Sequence, residues 1–400
     1  MNKVIPIAAA LSETETRSLF SPLAEARGLP GRVYADPDYW TIERQRLFRD
    51  DWFAIGCASD VPKPGDMAPI TVAEWELVLV RGEDGQVRCF HNVCRHRGTK
   101  LVLAPKNARQ IACGWHCWTY ALDGELLRTP IIDGPRTMGH EQFDRSKLGL
   151  VEVRSAVWND AVFVNIGGEA RSFEAFSAPL DALFAEYEPS VYNYQHPERH
   201  EDMVLDINWK LYHEGGLEGY HIPFVHPALE QPERYRIDND PSIFTSLTGA
   251  LSKYKRLGTL VGLPEDTLDL NVAASQALNE GARIPYTICF ITPTLIFAVW
   301  PEAVILTLLR PISPTRTGVR RNLYFIGDKA SAPQAEPARK KYLDIWEGVT
   351  REDADYSAGV QRLGAQRDEI GVQTRFSPYW EEAVQMFQRR IAQRAYGATD

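Results

Sequence analysis

Two short segments of the sequence each carry one cysteine and one histidine, and their spacing constrains the fold of the first half of the chain. The first segment is Cys94-X-His96, and after sixteen residues the second reads Cys113-X2-His116. Two thiolates on one iron and two imidazoles on the other can hold a [2Fe–2S] cluster. Structural zinc sites can also use two cysteines and two histidines, but they usually place like ligands together. The mixed order favours iron, with structural zinc as the alternative.

The segments around this motif are short, apolar and separated by turn sequences. Strand patterns occur at Trp75–Val80, Val87–Phe90 and Val162–Ile166, and turn signals occur at Gly82–Gly85 and Asp123-Gly124. This alternation predicts a β-rich domain over residues 51–166, with the cysteines and histidines on turns between strands.

The pattern changes after Gly167-Gly168, where we predict that a second domain, residues 167–400, begins. Helical spacing extends from Phe173 to Tyr187, and a strand pattern covers Met203–Ile207. Asn208 is a plausible N-cap for a helix that we extend to Tyr220. Residues 228–280 read as polar and irregular, and such a long stretch more often covers a site than builds a core.

The C-terminal part of the chain predicts an antiparallel sheet followed by helices. Three apolar β segments alternate with turn sequences between Pro285 and Gly327, and helical patterns run from Ala338 to Leu363 and from Tyr379 to Arg394. Residues 1–50 read as an N-terminal arm that packs on the catalytic domain, with a helix over Glu43–Phe48.

A second candidate metal site begins with His221 and His226, which are five residues apart with Pro223 between them. The proline places His226 beyond the end of the predicted helix, so that both rings can converge on one ion. On this spacing alone, two hydrogen-bonded polar residues near a helix terminus are the simpler interpretation.

The cluster motif, followed by Trp118-Thr119-Tyr120, resembles the Rieske domain of ring-hydroxylating oxygenase α subunits. The frame from Asn208-Trp209-Lys210 through Glu218-X-Tyr220-His221 to His226 resembles the mononuclear iron motif of the same family. The resemblance extends from about Leu29 to Arg394. It implies an α+β fold, in which a β-rich Rieske domain is joined to a helix-grip catalytic domain with a curved antiparallel sheet.

The resemblance also implies the ligands of both centres. Cys94, His96, Cys113 and His116 would hold the [2Fe–2S] cluster, and His221 and His226 would hold a mononuclear Fe(II). Glu352-Asp353, with Gln361 eight residues after the aspartate, is similar to the family's C-terminal Glu-Asp-X7-Gln pattern and makes Asp353 the expected third ligand. Glu352 and Asp355 are the local alternatives, and a solvated helix face is the simpler reading of all three.

Glu218 lies three residues before His221, where the family carries an acidic residue that joins a cluster histidine of one subunit to an iron-ligand histidine of its neighbour. That role implies a head-to-tail homotrimer. Glu218 is less common there than Asp and resembles a branch that oxidises quaternary ammonium compounds, although other branches also carry Glu. Gly215 replaces the usual Asn, and Cys117 replaces the usual Gly after the second cluster histidine.

The implied function is that of a terminal oxygenase, with Glu218, His221, His226 and Asp353 as its catalytic residues. It would use O2 and electrons from an NAD(P)H-dependent reductase, with or without a ferredoxin. The reaction would hydroxylate or oxidatively demethylate a small aromatic compound or quaternary amine. A Rieske electron carrier or redox sensor without oxygen activation is the alternative, and a zinc-stabilised binding protein is a third reading.

The composition of the chain indicates which kinds of partner and which cellular compartment to expect. The 44 Lys+Arg and 53 Asp+Glu give a formal net charge of −9, so we expect no nucleic-acid partner. The sequence contains no apolar run of the roughly 18 residues that a membrane span needs, so we expect no membrane partner. Four of the six cysteines lie outside the cluster motif without a pairing pattern, which indicates a reducing cytoplasm.

Several other residues near the second motif have two readings. We expect His213 to be a surface or packing residue and Trp209 to lie in the core. Four aromatic residues are either pocket walls or core: Phe224, Phe290, Phe297 and Trp300. Three arginines either anchor a substrate carboxylate or are solvated on a sheet edge: Arg310, Arg320 and Arg321.

Overall fold

The structure, a computed structural model, describes residues 11–142, 144–187, 192, 198–199, 202–227, 229–230, 233–252 and 254–398. The chain forms two compact units, Asp50–Ala170 and Met1–Arg49 with Arg171–Asp400. The α+β class is confirmed. The domain limits predicted at 50/51 and 166/167 stay predictions, and the compact units divide at 49/50 and 170/171.

The unit Asp50–Ala170 is built from antiparallel strands. They are β1 (Phe53–Cys57), β2 (Asp66–Val72), β3 (Trp75–Arg81), β4 (Val87–His91), β5 (Lys106–Asn107), β6 (Ile111–Ala112), β7 (Thr119–Tyr120), β8 (Leu126–Arg128), β9 (Glu152–Trp158) and β10 (Ala161–Asn165). A seven-stranded sheet has the order β1-β10-β9-β4-β3-β2-β5, and a three-stranded sheet has the order β6-β7-β8. The predicted strands at Trp75–Val80 and Val87–Phe90 are thus confirmed as β3 and β4.

The other unit combines helices with one eight-stranded antiparallel sheet. The helices are α1 (Glu13–Leu19), α2 (Pro37–Arg46), α3 (Phe173–Phe184), α4 (Trp209–Gly216), α5 (Ile222–Val225), α6 (Leu257–Leu260), α7 (Val272–Asn279), α8 (Glu336–Arg362), α9 (Gly364–Glu369) and α10 (Glu382–Tyr396). The strands are β11 (Glu198–Arg199), β12 (Met203–Leu205), β13 (Arg236–Asp240), β14 (Phe244–Leu251), β15 (Ile284–Ile291), β16 (Leu295–Val299), β17 (Ala303–Ser313) and β18 (Arg316–Phe325). The sheet has the order β11-β18-β17-β16-β15-β14-β13, and β12 also pairs with β18.

Two predictions about this unit were wrong in detail. Residues 228–280 are not irregular, because they contain β13, β14, α6 and α7, and β14 pairs with β15 along its whole length. The alternating Thr, Ser, Gly and Ala of β14 hid that strand from an apolar pattern. The region 285–327 contributes four strands rather than three.

The helix that Asn208 begins is shorter than predicted. The Asn208 side chain accepts a hydrogen bond from the backbone N–H of Lys210 at 2.9 Å, which confirms the N-cap. The helix ends at Gly216 rather than Tyr220, because two consecutive glycines have poor helix propensity. This early end leaves a loop that carries Glu218 and leads into α5.

A buried cluster of polar groups joins the N-terminal arm to α4 and α10. Glu43 of α2 accepts hydrogen bonds from Trp209 Nε1 at 2.9 Å, from Lys210 Nζ at 2.6 Å and from the hydroxyl of Tyr396. The side chains of Lys210 and Glu43 are 0% and 1% exposed. The start of α4 is therefore tied to both ends of the chain.

Within the described ranges, every helix is too short or too polar to cross a bilayer.

Candidate metal centres and cavity

The two Cys-His segments form two turns of the same kind. The carbonyl of Cys94 accepts from the N–H of Gly98 at 3.0 Å, and the carbonyl of Cys113 accepts from the N–H of Cys117 at 3.1 Å. The residue that closes each turn has a left-handed backbone, with φ of 77° at Gly98 and 54° at Cys117. The departure at Cys117 thus lies at a position that favours glycine.

The four predicted cluster residues come together on these turns. Cys94 and Cys113 are each 2% exposed, and the rings of His96 and His116 are 4.6 Å apart between centroids. His96 Nδ1 is buried and has no hydrogen-bond partner among the described residues. Two buried thiols beside an unpartnered imidazole nitrogen fit the donor set of a Rieske [2Fe–2S] cluster.

Tyr120 adds a hydrogen bond that sequence reasoning missed. Its hydroxyl accepts from the backbone N–H of Arg95 at 3.0 Å and lies 3.4 Å from Cys94 Sγ. Because the oxygen already accepts, the hydroxyl hydrogen can point at the sulfur. Such hydrogen bonds to cluster sulfurs are one of the features that set the reduction potential.

We expect Cys117→Gly to stabilise the unit Asp50–Ala170. A left-handed backbone costs an L-residue roughly 1–2 kcal/mol, and glycine would remove this cost. Glycine also gives the unfolded chain more conformational freedom, which lowers stability by roughly 0.4–1 kcal/mol and offsets part of the gain. The net effect should raise the midpoint of thermal unfolding by about 2 °C, with the cluster spectrum unchanged. Cys117→Ala keeps the Cβ and is the matched control; an equal rise in both variants would contradict the backbone explanation.

The second site brings together three predicted ligands from two parts of the sequence. His221 and His226 lie at the two ends of α5, and their Nε2 atoms are 3.2 Å apart. Asp353 of α8 places Oδ1 3.0 Å from Nε2 of His226 and 3.5 Å from Nε2 of His221. The three ligand atoms lie within 4.8 Å of one another. Two imidazoles and a carboxylate in this arrangement are typical of non-heme Fe(II) oxygenases.

Carboxylates lie behind both imidazoles of this site. Glu218 contacts Nδ1 of His221, and Glu352 Oε2 lies 2.6 Å from Nδ1 of His226. A carboxylate only accepts, so each Nδ1 carries the hydrogen and each Nε2 presents its lone pair to the common point. Glu352, an alternative ligand in the sequence reading, thus lies behind His226, and Asp355 is exposed.

Burial and neighbouring charges act in opposite directions on the ionisable groups here. Burial lowers the pKa of His221, but its hydrogen bond to Glu218 and the charges of Glu218 and Asp353 outweigh this, and the pKa is raised. Burial raises the pKa of Asp353, although the charges of His221 and His226 oppose the rise.

Gln361 fixes α8 against the beginning of α4. Its Oε1 accepts from the backbone N–H of Asn208 at 2.5 Å, and its Nε2 donates to the carbonyl of Asp206 at 3.0 Å. The glutamine of the Glu-Asp-X7-Gln pattern thus helps to position Asp353 relative to the helix that precedes the two histidines.

A cavity of about 330 Å³ opens beside the three ligands, and its wall is mainly apolar. Phe290 and Trp300 line it, which supports the pocket reading for these two. Phe297 is fully buried outside this wall, and Phe224 is 78% exposed. Gly215 also lines the cavity, and a Cβ added there would meet nothing within 4 Å. The missing Asn side chain therefore leaves open space beside the site.

His213 and Trp209 are both core residues with 0% exposure. Burial lowers the pKa of His213 to about 4, and its Nε2 lies 2.9 Å from the carbonyl of Pro293. The packing reading of His213 and the core reading of Trp209 are therefore confirmed.

The three arginines differ in their surroundings. Arg310 pairs with Asp202 at 2.5 Å. Arg321 lines the cavity, whereas Arg320, the next residue on β18, is not part of its wall. β18 pairs with β17 on one side and with β11 and β12 on the other, so the expectation of solvated arginines on a sheet edge was wrong for this strand.

Comparison with known families matches both units. Residues 191–397 match the ring hydroxylating alpha subunit (catalytic domain) family, and residues 51–139 match the Rieske [2Fe-2S] domain family. The first match includes His221, His226 and Asp353, and the second includes the two Cys-His turns.

Similar curated proteins act on different substrates. The glycine betaine monooxygenase oxygenase subunit of Chromohalobacter salexigens is 31% identical over 229 residues, which are 54% of this chain and 49% of that protein. The 2-aminobenzenesulfonate 2,3-dioxygenase subunit alpha of Alcaligenes sp. is 29% identical over 343 residues, or 81% of this chain and 80% of that protein. The matched region thus spans about half the length of the first relative and most of the second.

Solved structures share the fold. The quaternary ammonium Rieske monooxygenase CntA in complex with gamma-butyrobetaine has a TM-score of 0.73 at 22% identity, with 95% of this chain and 98% of that chain covered. Naphthalene 1,2-dioxygenase from Rhodococcus sp. bound to indole has a TM-score of 0.73 at 18% identity, with 97% and 100% covered.

Proposed function

Since the chain belongs to the family of ring-hydroxylating oxygenase α subunits, we propose that it is a terminal oxygenase component. The observation that carries the proposal is the meeting of His221, His226 and Asp353 beside an apolar cavity, in a chain that also has a Rieske domain. An electron carrier or redox sensor would use the Rieske domain alone, and this cavity would serve no purpose in it.

The two centres would have separate ligands. Cys94, His96, Cys113 and His116 would hold the [2Fe–2S] cluster, and His221, His226 and Asp353 would hold a mononuclear Fe(II). When bound, the cluster supplies electrons singly and the Fe(II) supplies open positions at which dioxygen is reduced.

The protein's own groups would orient this chemistry. Glu218 and Glu352 hold the two imidazoles with Nε2 directed at one point, and Asp353 adds a negative charge on one side of that point. The apolar wall would hold the substrate beside the three ligands and exclude water from it. These residues leave the side of the site that faces the cavity for substrate and oxygen.

Partners and location extend the proposal. Electrons would come from an NAD(P)H-dependent reductase, with or without a ferredoxin, and the active assembly would be a head-to-tail homotrimer. The six cysteines are free thiols, which suits the cytoplasm as the location. The substrate would be a small aromatic compound or a quaternary amine, the two classes that the relatives' names contain.

Electron paramagnetic resonance of the anaerobic, reduced holoprotein tests this function. With nitric oxide as a probe, we expect a high-spin ferrous signal beside the signal of the reduced cluster. A cluster signal alone, in protein with a full iron content, would reject oxygen activation and leave the electron-carrier reading.

We expect Glu218→Gln to keep both metals but to slow electron transfer from the cluster to the mononuclear site. The carboxylate contacts Nδ1 of His221 and accepts from the N–H of His221 at 3.2 Å, so it is placed to link that imidazole to a second group. Outer-sphere partners of this kind are worth roughly 10–100-fold in activity. Single-turnover oxidation of the reduced cluster measures the step.

Glu74→Gln, which changes an acidic residue outside the proposed site, is the control for that experiment. A Glu218→Gln rate equal to the wild-type rate, with both metals bound, would remove Glu218 from the electron route.

A further inference from the structure

Arg321 is a cation in the cavity wall that forms no ion pair with an acidic group of the described residues. Its Nη1 donates to the carbonyl of Trp346 at 2.9 Å, and its Nη2 donates to the hydroxyls of Tyr212 and Thr350, each at 2.9 Å. Its Nε is 3.4 Å from Thr307 Oγ1. All of these partners are neutral, and among the described residues no carboxylate forms an ion pair with Arg321.

The acidic groups of the same wall are engaged elsewhere. Glu302 is 1% exposed, pairs with Arg256 at 2.7 Å and accepts from the Tyr254 hydroxyl at 2.5 Å. Glu230 is exposed and accepts from the Ser252 hydroxyl. No carboxylate among the described wall residues therefore neutralises Arg321 directly, and a half-buried cation in an apolar wall attracts an anion strongly.

The hydrogen-bond directions also favour an anion. The Tyr212 hydroxyl accepts from Arg321, so its own hydrogen is left to donate; among the described residues the acceptor near it is Thr350 Oγ1, and at 3.5 Å this contact is long enough for a ligand oxygen to replace it. Thr350 already donates to the carbonyl of Trp346 at 3.1 Å. One hydrogen on Nη1 of Arg321 also has no partner among the described groups. Arg321 and Tyr212 therefore offer two adjacent donors, the arrangement that carboxylate and sulfonate oxygens accept.

Helix α8 carries both the residues that contact Arg321 and one residue of the second metal site. Trp346, Thr350 and Asp353 follow one another at spacings of four and three residues, so they lie on one face of the helix. Thr350 and Asp353 are separated by a rise of about 4.5 Å. Thr350, which contacts Arg321 at 2.9 Å, and Asp353 thus lie about one helical turn apart on the same face of α8.

An aromatic surface continues from that point. Trp346 and Trp300 have ring centroids 5.0 Å apart, and Trp300 stacks on Tyr286 at 4.4 Å with planes 7° apart. Because the Trp300 and Tyr286 faces cover one another, this wall suits a flat or apolar body better than it encloses a cation from several sides.

We propose that Arg321 and Tyr212 form an anion subsite in the wall of this cavity, so that the substrate carries a carboxylate or sulfonate in addition to the atom that is oxidised. The proposal rests on the oxygenase function proposed above and narrows its substrate class. Aromatic acids and carboxylate-bearing betaines both present this chemistry; choline and uncharged arenes do not.

Ligand binding to the anaerobic holoprotein tests the subsite without turnover. Quenching of tryptophan fluorescence would be titrated with benzoate and benzenesulfonate against benzamide, and with glycine betaine against choline. In at least one of these comparisons, the wild type should bind the ligand that carries a carboxylate or sulfonate about 10-fold or more tightly than the counterpart that lacks it. A preference among the benzene derivatives would identify an aromatic acid as the substrate class, and a preference for glycine betaine over choline would identify a carboxylate-bearing betaine. Equal binding within both pairs, or tighter binding of choline than of every anion, would overturn the proposal.

Variants separate this role from a structural one. Arg321→Gln should abolish the preference while benzamide or choline binding changes by less than about threefold, and Arg320→Gln, the matched control on the same strand, should keep it. If Arg321→Gln does not fold, Tyr212→Phe should still weaken anion binding alone, by about 3–10-fold. An equal loss for charged and uncharged ligands in Tyr212→Phe or Arg321→Gln would mean that these residues only hold α8 in place. The nitric oxide signal of Arg321→Gln should persist, so a failure of the subsite is distinguishable from a failure of the oxygenase function.

Discussion

Asp353→Ala should lose the mononuclear iron and more than about 100-fold of the activity, while the cluster keeps its visible absorption. Among the described residues, Asp353 carries the one carboxylate within reach of both Nε2 atoms, so two neutral imidazoles would have to hold the ion alone. Changes behind the ligands already cost roughly 10–100-fold in metal affinity or activity, so the loss of a ligand should cost more. Metal analysis together with the cluster spectrum checks the result.

Two neighbouring carboxylates provide controls for this experiment. Asp355→Ala changes an exposed carboxylate two residues further along α8 and should leave iron content and activity unchanged. Glu352→Gln should weaken iron binding less than Asp353→Ala, since Glu352 acts through Nδ1 of His226. Full iron content in Asp353→Ala would show that another group is the third ligand.

Lys210→Met should lower the free energy of unfolding of the larger unit by about 3–5 kcal/mol. The lysine and Glu43 are almost completely buried, with Nζ and Oε1 2.6 Å apart. Burial lowers the pKa of Lys210, and the charge of Glu43 opposes this effect. Removal of the lysine leaves the Glu43 carboxylate inside the protein, with Trp209 and Tyr396 as its remaining side-chain donors among the described residues.

Thermal unfolding measures this effect as a fall in midpoint on the order of 10 °C. Lys341→Met removes an exposed lysine from α8 and should change the midpoint little. The double variant Glu43→Gln/Lys210→Met removes both charges and should recover much of the loss, because a neutral pair needs no buried counter-charge. A single Lys210→Met variant as stable as the wild type would show that the ion pair does not hold the arm to α4.

The sequence predicted the regular elements where local pattern decides them. The Asn208 N-cap, α8 and the strands β3 and β4 all have signals within a few residues of one another. β14 was missed because its small and polar residues are stabilised by pairing with β15, which a local pattern does not show.

At the candidate site, spacing and resemblance brought out the ligand residues, but not their orientation. Adjacent residues on a helix point about 100° apart, so Glu352 and Asp353 were not distinguishable as ligands from their order alone. In the structure one lies beside the Nε2 atoms and the other behind His226. Arg320 and Arg321 illustrate the same limit on a strand, since alternation predicts opposite faces but not which face has a cavity.

The larger unit is assembled from both ends of the chain, because Glu43 near one end and Tyr396 near the other share one buried cluster. During synthesis the ribosome completes Asp50–Ala170 as an uninterrupted segment, and that segment can fold while later residues are still being added. The unit that contains His221, His226 and Asp353, in contrast, cannot complete its buried cluster before α10, the last described helix, has been made. The four residues proposed as cluster ligands can accordingly be held in a folded unit before the three residues proposed as ligands of the mononuclear iron.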